Sequence, residues 1–105
     1  MKKTYHKLVR DRIPEIIEAG GNTCVTRILS DEEYLCRLDQ KLDEELTEYH
    51  ADGNPEELAD LLEVIYAAAA ARGVTAEELD EIRAQKAAKR GAFAQKILLV
   101  EVDES

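Results

Sequence analysis

Glu44-Glu45-Leu46-Thr47-Glu48-Tyr49-His50-Ala51-Asp52-Gly53-Asn54-Pro55-Glu56-Glu57-Leu58-Ala59-Asp60 is the stretch on which the fold turns. Glu45 and Glu48 stand three residues apart, and so do Glu57 and Asp60. Both pairs lie in segments that read as helix, where residues at i and i+3 are neighbours on one face. Residues 51–55 between them read as a turn. The chain therefore runs up one helix and down the next. The last turns of the first helix oppose the first turns of the second, and Glu45, Glu48, Glu57 and Asp60 converge at the closed end of an α-hairpin. Four carboxylates brought that close repel one another unless a cation lies between them. Their hard oxygens point to Mg²⁺, with Mn²⁺ or Ca²⁺ as substitutes.

A purely structural account covers part of this pattern. Asn54, Pro55 and Glu57 read as N-cap, first-position proline and capping-box acid. Acids also suit the positive end of a helix dipole. Glu57 is thereby explained without a metal, and Asp60 partly so. Glu45 and Glu48 are not, because they sit near a helix C-terminus, where acids oppose the dipole.

The chain has 105 residues, the size of one small domain spanning 1–105. Its 23 acidic and 14 basic residues leave a formal charge of −9, which argues against a nucleic-acid partner. No apolar run is long enough to span a membrane, and the alanines at 67–71 are too few. Basic residues near Met1 precede no apolar stretch of the kind that forms a secretory signal, so the expected location is the cytoplasm. Cys24 and Cys36 lack metal-motif spacing and read as free thiols.

Outward from the hairpin, capping and periodicity mark a mainly α fold. A short helix spans 14–19 and stops at Gly20-Gly21. Ser30-Asp31-Glu32-Glu33 opens a long helix to about His50, with Leu35, Leu38, Leu42, Leu46 and Tyr49 as its apolar stripe. Glu45 falls on the shoulder of that stripe, at the edge of the core. The next helix runs from Pro55 to about Arg72. Its apolar residues cover more than half its circumference, which calls for a second subunit. Thr75-Ala76-Glu77-Glu78 opens a fourth helix to about Arg90. Residues 23–29 and 97–102 are rich in β-branched and aliphatic residues, which predicts a small two-stranded β element.

The fourth helix carries a further chemical signal. Its stripe starts as Leu79 and Ile82, then continues at helical spacing as Lys86 and Lys89, then Phe93. Snorkelling lysines account for such a pattern in general. Beside an acidic metal site, they are also placed to bind phosphate.

The acid pairs, EExxE then ExxD on consecutive helices, resemble the all-α nucleoside triphosphate pyrophosphohydrolases: MazG, the dimeric dUTPases and phosphoribosyl-ATP pyrophosphohydrolase. Lys7-Leu8-Val9-Arg10-Asp11-Arg12-Ile13-Pro14-Glu15-Ile16-Ile17 is similar to the opening of small MazG-like proteins, and Lys86-Ala87-Ala88-Lys89-Arg90-Gly91-Ala92-Phe93 to their basic stretch. The resemblance covers most of the chain. It implies an all-α NTP pyrophosphatase-like bundle that works as a homodimer or dimer of dimers. It also implies Mg²⁺-dependent cleavage between the α- and β-phosphates of a nucleotide, giving a monophosphate and pyrophosphate. Glu45, Glu48, Glu57 and Asp60 match the metal ligands. Glu44 matches the extra acid of EExxE, either supporting a ligand or assisting the attacking water. Lys86, Lys89 and Arg90 match the phosphate-binding block, and Arg10 and Arg12 would close over the nucleotide. Two features depart from the family: the turn is shorter than in many members, and no base-reading aromatic cluster is evident. The alternative from another class is a non-enzymatic helical dimerisation module whose acids are only solubilising.

Overall fold

Four helices make up the regular structure of this protein, a computed structural model that describes residues 1–104: α1 (Ile13–Ala19), α2 (Asp31–Asp52), α3 (Pro55–Ala71) and α4 (Ala76–Arg90). Each long helix starts where a side chain can accept an orphaned backbone N–H. Ser30 accepts from Glu33, Asn54 from Glu57 and Thr75 from Glu78. At Thr75 the box is reciprocal, because the Glu78 carboxylate accepts the Thr75 N–H at 3.3 Å.

The turn between α2 and α3 is two residues long. Gly53 adopts φ +66° and donates its N–H to the Tyr49 carbonyl at 2.7 Å. That left-handed conformation is cheap only for glycine. Asn54 then caps α3 from extended backbone, with Pro55 at its first position. Because the reversal is so tight, α2 and α3 pack side by side as an antiparallel hairpin. Of the other helices, α4 packs only on α3, and α1 packs on none.

The described residues contain no β-strand, so the two-stranded element expected from 23–29 and 97–102 is not formed. The physical reason lies in where those segments are held. Cys24 sits against the Pro14 carbonyl at 3.9 Å, and Arg27 pairs with Glu33 at 3.2 Å at the start of α2. The first segment is thus tied to two helices, not extended along a partner. Ile97, Leu98, Leu99 and Val100 are each at least 74% exposed. β-propensity describes a fit to a pleated, half-buried surface, and neither segment has one within this chain.

Burial is sparse throughout. Among the described residues, Leu38 is the one buried apolar side chain, and Leu46, Leu58, Leu62 and Ile82 remain exposed. The molecule measures 65 × 31 × 24 Å, with a radius of gyration of 18.5 Å. A compact chain of this length would have a radius of about 13 Å. Its accessible surface of 9612 Å² exceeds the roughly 5,900 Å² expected of a folded monomer of this mass by more than half.

Candidate metal centre

The closed end of the hairpin gathers three of the four expected acids. One carboxylate oxygen each from Glu45, Glu57 and Asp60 lies within 4.8 Å of the other two. Glu45 comes from the last turns of α2, at the shoulder of its apolar stripe, and is only 7% exposed. Glu57 and Asp60 come from the first turns of α3 and are half-buried. Glu48 is exposed and stands outside the trio, yet its charge bears on both Glu45 and Glu57.

The electrostatics are those of crowded, partly buried acids. Burial pushes the Glu45 carboxyl up from its ordinary range; Glu48 and Asp60 push the same way, and Lys41 opposes them. Glu57 is also pushed up, first by desolvation and then by Glu48, Asp52 and Asp60. The Oε2 atoms of Glu45 and Glu57 are buried and have no hydrogen-bond partner. A buried, unpartnered carboxylate oxygen is costly. Glu57 gives its backbone N–H to Asn54, but its carboxylate, with one buried oxygen unpartnered, does not complete a capping box like that of Thr75 and Glu78. The capping explanation thus uses the Glu57 backbone and leaves its side chain unaccounted for. Three carboxylates with hard oxygen donors, two of them each carrying an orphaned oxygen, fit a divalent cation such as Mg²⁺.

Cations of the chain itself already border the cluster. Lys41, one turn before the acids on α2, places Nζ 3.1 Å from Glu44 and 3.4 Å from Glu45. Lys7 lies 3.8 Å from Glu44, and Arg10 places Nη2 2.6 Å from Asp60 Oδ1. The roles of Lys41 and Lys7 are missed by motif reading. Lys41 was legible as the i−4 and i−3 partner of Glu45 and Glu44. Lys7 carries no such signal, because only the path of the chain brings it to Glu44.

The other basic residues are not brought together with the acids. Arg12 pairs with Glu15 at 3.3 Å in α1. Lys86, Lys89 and Arg90 are exposed near the end of α4, a helix that makes no contact with α2. Periodicity places these lysines on the stripe of α4, but among the described residues none of them forms an ion pair with Glu45, Glu57 or Asp60.

No family model matches this chain. No solved structure matches it either. It is similar to a protein of Mycolicibacterium smegmatis described as uncharacterized, with 62% identity over 45 residues. That stretch covers 43% of this chain and 46% of the relative, so the match takes in less than half of either protein. No helix among the described residues is long and apolar enough to cross a membrane.

Proposed function

We propose that this protein is a Mg²⁺-dependent nucleotide pyrophosphohydrolase, cleaving between the α- and β-phosphates to release a monophosphate and pyrophosphate. The observation that carries this reading is the convergence of Glu45, Glu57 and Asp60, with two buried carboxylate oxygens lacking partners. Glu45, Glu48, Glu57 and Asp60 are the proposed ligands, with Mn²⁺ as a substitute. A divalent ion held there neutralises phosphate charge and acidifies water. Glu44 does not take part as a ligand in this scheme. It holds Lys41 in place beside the cluster and orients the attacking water. Buried Glu45 excludes bulk solvent from one side, which strengthens every interaction with the phosphates. Arg10 supplies a cation for the substrate from the N-terminal side.

In-line displacement also needs charge neutralised on the leaving pyrophosphate. Lys86, Lys89 and Arg90 are the proposed groups. Because none of them forms an ion pair with the site's acids among the described residues, they act on this reading within a homodimer or dimer of dimers, across the subunit boundary. The excess exposed surface and the single buried apolar side chain support such an assembly. The proposed location is the cytoplasm, in keeping with two free thiols.

The same exposed apolar surface favours a second reading, a helical dimerisation module without catalysis. One experiment separates the two. Purified protein is offered a panel of nucleoside triphosphates with Mg²⁺, and pyrophosphate and orthophosphate are scored. The hydrolase reading expects pyrophosphate, lost in EDTA and in Glu45→Gln and Asp60→Asn. Orthophosphate with diphosphate left behind, or turnover unchanged in EDTA, defeats it.

A further inference from the structure

The N-terminal arm, residues 1–12, folds back over the acid cluster, although it contains no regular structure apart from a turn leading into α1. Its polar anchors land on the site. Arg10 reaches across 50 positions of sequence to Asp60, and Lys7 lies beside Glu44. Arg37 of α2 donates to the His6 carbonyl at 3.2 Å. Leu8 is half-buried, and a cavity of about 200 Å³ remains between arm and helix, lined in part by Lys7, Leu8, Lys41 and Glu44. The arm thus sets a cation beside Glu44 and beside Asp60; the cation beside Glu45 is Lys41 of α2 itself, and Glu57 pairs with none among the described residues.

Arg10 and a metal ion compete for one carboxylate. The guanidinium is always charged. A divalent ion drawing on Asp60 weakens the acid's attraction for Arg10 and repels the guanidinium directly. The arm is also poised to leave. The Arg10–Asp60 pair is half-exposed on both sides, and exposed ion pairs hold weakly. His6 adopts φ +46°, a left-handed conformation that costs energy for a residue with a Cβ and is relieved on release.

We propose that the arm is a cationic strap. Arg10 holds Asp60 in the metal-free protein and surrenders it when a divalent cation enters, so that metal loading releases the arm and leaves Arg10 free at the mouth of the site for an anionic substrate. This rests on the metal reading of Glu45, Glu57 and Asp60. The strap makes metal affinity and arm position one linked equilibrium: metal binding favours arm release by the same factor by which arm release favours metal binding.

Full-length protein tests this with two readouts that need no turnover. One is Mn²⁺ affinity, measured from the free-ion electron paramagnetic resonance signal. The other is the rate of trypsin cleavage at Lys7 and Arg12, followed by mass spectrometry. Saturating Mn²⁺ is expected to speed arm cleavage in wild type by about tenfold, the size of an ordinary population shift. Arg10→Gln is expected to bind Mn²⁺ several-fold more tightly, with its arm cleaved quickly whether or not metal is present. Arg10→Lys, which keeps the charge, is expected to fall between. Asp60→Asn is expected to free the arm without metal. Equal Mn²⁺ affinity in wild type and Arg10→Gln, with an arm indifferent to metal, overturns the strap while leaving the metal site standing. Failure of every variant to bind Mn²⁺, with Asp60→Asn still freeing the arm, overturns the metal reading and the exchange with it.

Discussion

At the closed end of the α2–α3 hairpin, a left-handed glycine, an asparagine cap and a proline bring three carboxylates within 4.8 Å. Beyond α4, residues 91–104 are exposed along their whole length, with Phe93 at 98%. Both regions carry strong local signals, acid pairs in one and an aliphatic run in the other. The first is completed within the chain and the second is not. The difference is one of range. A tight turn joins its two sides whatever else the chain does, because few residues separate them and closing so short a loop costs little. An apolar run has to find a surface to cover it, and among the described residues this run lies exposed.

The largest effect that tests this contrast is in the core. Leu38→Ala removes the one buried apolar side chain among the described residues and should cost about 3 kcal/mol by denaturant unfolding. Leu99→Ala should cost under about 0.5 kcal/mol in dilute protein, because its side chain is 74% exposed. If Leu99→Ala proves as damaging as Leu38→Ala, the tail is covered in solution. Light scattering should then find Leu99→Ala smaller than the wild-type assembly.

Next in size is metal stabilisation. An ion that binds the folded state alone, at a hundred times its dissociation constant, adds about 2.7 kcal/mol. Mg²⁺ or Mn²⁺ should therefore raise the melting temperature by several degrees. Glu45→Gln should abolish the rise, whereas Lys86→Ala, on α4, should leave it intact. A rise of equal size in Glu45→Gln would place the ion elsewhere.

A smaller effect concerns the turn. Asn54→Ala removes the cap that donates no charge to the cluster but sets the start of α3. It should cost about 1 kcal/mol and weaken Mn²⁺ binding as Glu57 and Asp60 lose their position. Thr75→Ala removes the better-formed box of α4. It should cost a similar amount and leave Mn²⁺ binding unchanged, since α4 supplies no acid to the site.

The smallest effect is the response to pH without metal. The folded protein holds protons on Glu45 and Glu57 more tightly than the unfolded chain does. Their contribution is therefore most favourable below the ordinary carboxylate range and is lost as pH rises through it toward the raised values. Glu33 acts oppositely: Arg27 holds its carboxyl low, so its contribution is present above that range and is lost on acidification. Metal-free Glu45→Gln should accordingly lose less stability than wild type between about pH 4.5 and 7. A profile parallel to wild type in chemical denaturation would show that Glu45 is not strained by its surroundings.

How much was legible in advance differs by element. Ser30, Asn54 and Thr75 identify three helix starts to the residue, because a cap is a bond between neighbours in sequence. Gly53 and Pro55 mark the reversal for the same reason. The trio of Glu45, Glu57 and Asp60 follows from two helical periods joined by that turn. The absent strand does not follow from composition. Val25 and Ile28 favour extended backbone, yet a strand is a property of two segments, and the partner is what the chain lacks.

The residue order by itself determined the four helices, their starts to within one residue, and the convergence of Glu45, Glu57 and Asp60 across a short turn, although α2 runs on to Asp52, past the end expected near His50, and narrows the turn from 51–55 to Gly53 and Asn54. These depend on bonds and periodicities within a few positions. Only the tertiary structure decided that Glu48 stands outside the trio, that Glu57's side chain is unused by its cap, and that Arg10 rests on Asp60 while Lys86, Lys89 and Arg90 stay on a helix that makes no contact with α2. Those outcomes depend on the course of the arm and the direction of α4, which no local preference specifies. They are set by which distant surfaces meet, and long-range packing is the information a periodic pattern does not carry.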